Sequence, residues 1–225
     1  MIYVIMAGGQ YQDFEIPKQL TVINGERLVD RTIRLLRENG IKDIYITSND
    51  SRFDSCDAPR LKHNNSYKVV DGVQEGYWLD AFFPLFKPTE KVCFMFGDVY
   101  YTEDAIRTIV GLKCVKNTLF GTKDAKNKKH ENWGEPFAYK VVDYAEFMRG
   151  VETVKRMQDD GITKRVPIVW ELYRYLNGLD VNIQRVLDET YVCIDDGTMD
   201  VDDMNKVEMV RKRFENETND NSTCS

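Results

Sequence analysis

An α/β fold, with a mixed and largely parallel sheet between helices, is predicted by three observations. Ile2–Met6 is an apolar, β-branched-rich run closed by Ala7-Gly8-Gly9, the pattern of a buried parallel strand ending in a turn. Leu28–Asn39 is periodic at helical spacing, with Leu28, Ile33, Leu35 and Leu36 apolar and Arg31, Arg34, Arg37 and Glu38 polar; Ile41–Thr47 follows as a second strand. Strand, loop, helix and strand in that order require a parallel pair joined by a right-handed crossover. Lys91–Phe96 (KVCFMF) is the most apolar run and is predicted as the central strand.

The remaining elements follow in order. Asn39-Gly40 supplies the stop of the first helix. Residues 51–66 are polar and without period, and Tyr67–Val70 is a weak strand. Gly72–Phe83 reads as a loop entering a helix that packs Trp78, Phe82 and Phe83 into the core. Asp104–Val110 is a helix with Thr102 as its N-cap and Glu103 and Asp104 in its first turn. Val115–Thr122 and Phe137–Val142 are strands, Tyr144–Gln158 and Ile168–Leu176 are core helices, and Val181–Leu187 alternates like a half-exposed strand. A helix over Lys206–Phe214 completes a single domain, residues 1–214, and 215–225 is a polar tail predicted to be disordered.

Composition excludes several functions. The 225 residues are 42% hydrophobic and 30% charged, ordinary for a globular domain that buries roughly 70–75% of its unfolded surface. A net charge of −6 argues against nucleic acid as the main partner, which would need a basic face. Five cysteines without CxxC spacing read as free thiols of a reducing cytoplasm. No apolar run reaches membrane-spanning length, and the N-terminal run is too short for a signal sequence. The four lysines in Lys123–Lys129 read as a solvated loop.

Three stretches carry the chemistry. Gly8 and Gly9 after a strand, then Pro17-Lys18, can form a phosphate cradle of backbone donors and one mobile cation; a plain βα turn with a surface lysine is the other reading. Asp98 follows Gly97 at the end of the central strand, where open α/β sheets bind ligands, and is placed to hold a divalent ion on a phosphate; otherwise it caps the next turn. Five aspartates (195, 196, 200, 202 and 203) lie within nine residues, and carboxylates so crowded repel unless a cation or solvent separates them. An acidic helix start explains such a run as well, Asp203 above all.

Ile5-Met6-Ala7-Gly8-Gly9, Pro17-Lys18-Gln19-Leu20 and Ile23-Asn24-Gly25-Glu26-Arg27-Leu28 resemble the opening of the nucleotidylyltransferases, the family of sugar-1-phosphate nucleotidylyltransferases and phosphocholine cytidylyltransferase. Gly97-Asp98 and Met199–Val207 (MDVDDMNKV) resemble its two later motifs. The segment Gln10–Ile16 departs from the family, having neither the second Gly nor the Arg that helps hold the triphosphate. The resemblance implies a Rossmann-like, three-layer nucleotide-diphospho-sugar transferase fold and a Mg²⁺-dependent transfer from an NTP, CTP by preference, to a phosphorylated small-molecule acceptor. The product would be an NDP-linked compound, such as a capsule or cell-surface precursor. It implies that Lys18 and Asp98 are catalytic, that Ala7, Gly8, Gly9, Lys18 and Gly76 contact the nucleotide, and that Asp98 and Asp202, or Asp200, bind the metal. Glu135 and Lys140 would then meet the acceptor. No nucleic acid or membrane partner is implied, and a homodimer is admitted. A metal-dependent glycosyltransferase of similar fold is the rival, but it carries Asp-x-Asp where this chain has Asp98-Val99-Tyr100. A non-catalytic nucleotide-binding protein is a third reading.

Overall fold

The computed structural model describes residues 1–8, 14–62, 67–70, 73–82, 86–87, 89–123 and 134–222. In chain order the elements are β1 (Ile2–Met6), β2 (Val22–Ile23), β3 (Glu26–Arg27), α1 (Leu28–Glu38), β4 (Ile44–Thr47), β5 (Arg60–Leu61), β6 (Tyr67–Val70), β7 (Val73–Gly76) and β8 (Val92–Phe96). Then come β9 (Val99–Tyr100), α2 (Glu103–Gly111), β10 (Thr118–Gly121), β11 (Pro136–Val141), α3 (Tyr144–Asp159), α4 (Val169–Leu176), β12 (Tyr191–Cys193), β13 (Met199–Asp200) and α5 (Met204–Ser222).

Seven strands form one sheet in the order β12-β10-β11-β8-β1-β4-β5. β1 is parallel to both β4 and β8, β4 to β5, and β10 to β12, while β11 runs antiparallel to β8 and β10. The sheet is therefore mixed and largely parallel, as predicted. β1 and β8 are central and buried on both faces, which is why they read as unbroken apolar runs.

Period-two alternation divides β8 and β11 between two helical layers. Phe94 stacks on Phe147 of α3 with centroids 5.7 Å apart, and Tyr139 meets the same ring edge-on at 5.2 Å. The neighbouring position, Lys140, points the other way, toward the last turn of α2. Phe82 joins the α3 layer at 5.0 Å from Phe94 and is core, as predicted; Trp78 packs partly buried against it, and Phe83 lies outside the described residues. α3 packs on α4 at Gly150, where a Cβ would stand 2.7 Å from Leu176 Cδ2.

Several elements differ from prediction. The stretch before Trp78 is a hairpin strand, and the helix expected there is only a 3-10 turn, Trp78–Ala81. Val181–Leu187 forms no strand. Its alternation has no partner, because side chains take the local backbone groups: Arg174 donates to the Val181 carbonyl at 3.1 Å, and Asp180 Oδ1 accepts from Asn182 N at 2.8 Å. The second strand starts at Ile44 rather than Ile41, and α5 continues past Phe214 to Ser222. Asn24 and Gly25 both have positive φ, 51° and 82°, giving the two-residue turn that joins β2 to β3 and delivers the chain into α1.

Candidate active site

The site lies at the carboxyl ends of β1 and β8, and three distant segments build it. β8 ends at Phe96, and Gly97 N–H donates to the Met6 carbonyl at 3.0 Å, extending the ladder by one step. A Cβ on Gly97 would lie 2.4 Å from that carbonyl oxygen, so only glycine lets the two strand ends close together. Asp98 is thereby fixed immediately beyond the strand. Pro17 at φ −48° opens the 3-10 turn Lys18–Leu20, which sends Lys18 toward the same place. The late acidic segment arrives through β13, which pairs antiparallel with β9, and Val201 N–H donates to the Asp98 carbonyl at 2.7 Å.

Lys18, only 8% exposed, is the hub. Its ammonium stands 2.6 Å from Asp98 Oδ2 and 2.8 Å from Asp202 Oδ1. Burial works against its charge, but the attraction of Asp98 and the bonds to Asp202 and Asp98 outweigh it and raise its pKa above the usual lysine range. Asp202 is held below the usual carboxylate range by its hydrogen bond with Asp200 and, against burial, by Lys18. A second ammonium, Lys206 at the start of α5, binds Asp200, stands 3.1 Å from Glu135 Oε1, and lies 3.5 Å from Asp202 Oδ2. Glu135 Oε2 also accepts from Asp200 N–H at 3.3 Å. Asp200 is the crowded member: burial first, then hydrogen bonding with Asp202 and Glu135, pushes its carboxyl up to about 9. Two lysines and four carboxylates thus form one connected network.

The other late aspartates have separate tasks. Asp195 pairs with Lys123 at the surface. Asp196 accepts from Thr102 Oγ1 at 2.6 Å and Thr198 N–H at 2.7 Å, tying the segment to the start of α2. Asp203 Oδ1 accepts from Lys206 N–H at 2.9 Å and caps α5, the helix-start role expected of it. Thr102 caps α2 as predicted, accepting from Ala105 N–H.

The structure brings together Lys18, Asp98, Asp200, Asp202 and Glu135, but not every residue expected at the site. Lys140 is a correction. It lies on β11 opposite Cys93, at the far end of β8, and its buried ammonium donates to the Val110 and Leu112 carbonyls at 3.2 and 2.7 Å. It closes the end of α2 and cannot reach an acceptor at Asp98. Glu135 sits beside Asp200 and Lys206 rather than apart from the late acidic segment. Ala7 N–H is consumed by the Thr47 carbonyl at 2.9 Å, so it is not a free donor to phosphate. Gly8 follows it, exposed, and Gly9 lies outside the described residues. Gly76 is opposite Tyr67 in the β6–β7 hairpin, and no described contact joins it to the network.

Lys206 and Gln19 were not anticipated. Lys206 was legible as the i+4 neighbour of Asp202 at a helix start. Gln19 carried no signal; it is 1% exposed, packs beside Gly97, and leaves Oε1 without a partner among the described residues.

The donor set suits Mg²⁺. Asp98 and Asp202 turn one oxygen each onto a single cation, and Asp202 is half exposed. Mg²⁺ is typically held by one or two carboxylates, with water and substrate phosphate completing its shell. Among the described residues no group of three or more potential ligands gathers, so these side chains do not make an all-protein cage.

No family model matches the chain, and no curated protein matches it by sequence. Solved structures do. One is the 4-diphosphocytidyl-2C-methyl-D-erythritol synthase of Anaerococcus prevotii, with a TM-score of 0.60 at 12% identity over 95% of each chain. The CTP:phosphocholine cytidylyltransferase of Streptococcus pneumoniae gives 0.54 at 14% identity, over 95% of this chain and 98% of that one. A Bacillus anthracis protein assigned as a glucose-1-phosphate thymidylyltransferase, in complex with a sucrose, gives 0.55 at 12% over 94% of each. The chain has the nucleotide-diphospho-sugar transferase fold, the fold of these nucleotidyltransferases. Among the described residues no helix is long and apolar enough to cross a membrane.

Proposed function

We propose that the protein is a Mg²⁺-dependent nucleotidylyltransferase joining an NTP to a phosphorylated small metabolite and releasing pyrophosphate. The observation that carries this reading is the convergence of Lys18, Asp98 and Asp202 on one point beyond the central strands. Two of the similar structures are named for cytidylyl chemistry, which supports CTP as the nucleotide. A cell-surface precursor, such as that of a capsule, is the destination the sequence resemblance implies. Four described cysteines are free thiols, which fits a reducing cytoplasm.

A phosphate oxygen of the metabolite attacks the α-phosphorus in line; that P–O bond forms as the bond to the β-phosphate oxygen breaks, and pyrophosphate leaves. Little covalent chemistry is asked of the protein, so positioning and charge neutralisation carry the rate. Asp98 and Asp202 would hold the Mg²⁺, which when bound would supply Lewis-acid polarisation of the phosphoryl group and compensation of the pyrophosphate's charge. Lys18 supplies a cation to the phosphates, and Gly8 presents backbone without a Cβ in the way. Lys206 keeps Asp200 and Glu135 compensated and so fixes the start of α5, on which the position of Asp202 depends. Asp202 ranks above Asp200 as the second metal carboxylate because it shares its cation with Asp98. Pyrophosphate release, measured with four NTPs, a set of phosphorylated acceptors and a Mg²⁺ titration of wild type, Asp200→Asn and Asp202→Asn, tests these assignments. Release should need both substrates and Mg²⁺, with the larger shift in Mg²⁺ requirement for Asp202→Asn. No release with any pair would overturn the reading.

A further inference from the structure

The cation seat between Asp98 and Asp202 is filled by the protein's own lysine. Lys18 Nζ is within 2.8 Å of an oxygen of each carboxylate, and the side chain is almost wholly buried. Its two contacts are charge-assisted bonds, the strong kind, so they resist removal by solvent. A divalent ion drawing on the same two oxygens cannot sit there while the ammonium does, because two like charges would share one seat. Nor can Lys18 meet a phosphate while both carboxylates hold it. We infer that Lys18 and the divalent ion exchange places: in the metal-free protein Lys18 plugs the Asp98–Asp202 seat, and metal entry expels it toward the position where the triphosphate arrives. This rests on the nucleotidylyltransferase reading and adds an order to it, in which the ion both fills its site and releases the phosphate-binding lysine. The neighbouring lysine does not duplicate the plug, since Lys206 is committed to Asp200 and Glu135 and only grazes Asp202 at 3.5 Å.

The exchange has a readout without nucleotide or turnover. Mn²⁺ binding to the nucleotide-free protein is titrated by electron paramagnetic resonance for wild type, Lys18→Met, Asp98→Asn and Lys18→Met/Asp98→Asn. Lys123→Met serves as a control, because Lys123 pairs at the surface with Asp195. Removing the plug should tighten Mn²⁺ binding about tenfold or more, Lys123→Met should change it less than twofold, and Asp98→Asn should remove binding in both backgrounds. If Lys18→Met binds Mn²⁺ no more tightly than wild type while Asp98→Asn still abolishes binding, the exchange is wrong and the metal assignment stands. If Asp98→Asn leaves Mn²⁺ binding intact, the metal assignment itself fails and the exchange with it. A second measurement covers the case in which Lys18→Met does not fold. Amine acylation of wild type, followed by peptide mass spectrometry, should label Lys18 several-fold faster with Mn²⁺ than without it. An unchanged or slower rate at Lys18 overturns the exchange.

Discussion

Lys206→Met should destabilise the protein, and Asp200→Asn should relieve much of that loss. Lys206 faces three carboxylates whose exposures differ: Asp200 is 16% exposed, Glu135 37% and Asp202 53%. A hydrogen bond to a charged group is worth about 1.5–3 kcal/mol when it is sheltered. Only the Asp200 contact earns that range in full; the other two are screened by solvent and add at most about 1 kcal/mol together. Lys206→Met should therefore cost about 2–4 kcal/mol, part of it the cost of leaving Asp200 crowded against Asp202 and Glu135 with no cation. Asp200→Asn in the same chain removes the buried, crowded carboxyl that Lys206 binds, so the double variant should be at least about 1 kcal/mol more stable than the sum of the single changes. Urea unfolding of the four proteins, with a common slope, measures this coupling. Additivity within about 0.5 kcal/mol would refute the idea that Lys206 holds these carboxylates together.

Gly97→Ala should cost about 1–3 kcal/mol and impair turnover, because the new methyl meets the Met6 carbonyl oxygen and the strand ends must part, moving Asp98; equilibrium unfolding and steady-state kinetics check both. Lys140→Met should leave kcat/KM within a few-fold of wild type, since its ammonium closes α2 at the other end of the strand, and a loss beyond a hundredfold would return it to the site. The stability gap between wild type and Lys18→Met should be flat from roughly pH 5 to 9. The Asp202 carboxyl is lowered in the folded state, so its contribution is present above the ordinary carboxylate range and lost as the pH falls below about 4. Lys18 is raised, so its contribution persists up to the ordinary lysine range and is lost only as the pH climbs past about 10. Thermal unfolding across pH reads the gap, and a gap that widens on acidification would contradict the pairing.

What the sequence made legible was whatever depends on short-range pattern. Ile2–Met6 and Lys91–Phe96 are apolar because both faces of a central strand are covered, and Thr102 announces α2 because a cap acts within three residues. Asp98 was legible because a strand end after glycine is a fixed place in such sheets. Long-range neighbours were not. Nothing local tells that Glu135, just before β11, reaches the Asp200 backbone, or that Lys140, five positions on, turns to the opposite end of the sheet and the α2 layer. Val181–Leu187 shows the same limit from the other side: it has a strand's alternation but no partner strand. Lys206 was overlooked because its value lies in a partner 71 residues away, Glu135, as well as in its helix spacing.

Transfer to the α-phosphorus is the central claim, and isotope position reads it directly. CTP labelled with ³²P at the α-phosphate is incubated with the protein, Mg²⁺ and phosphorylated small-molecule acceptors, beside an Asp98→Asn control. Label should move into an acceptor-linked diphosphate with unlabelled pyrophosphate released, and the control should show neither. Label recovered as free CMP, or label that stays in CTP with every acceptor and with the other three α-labelled NTPs, would contradict it.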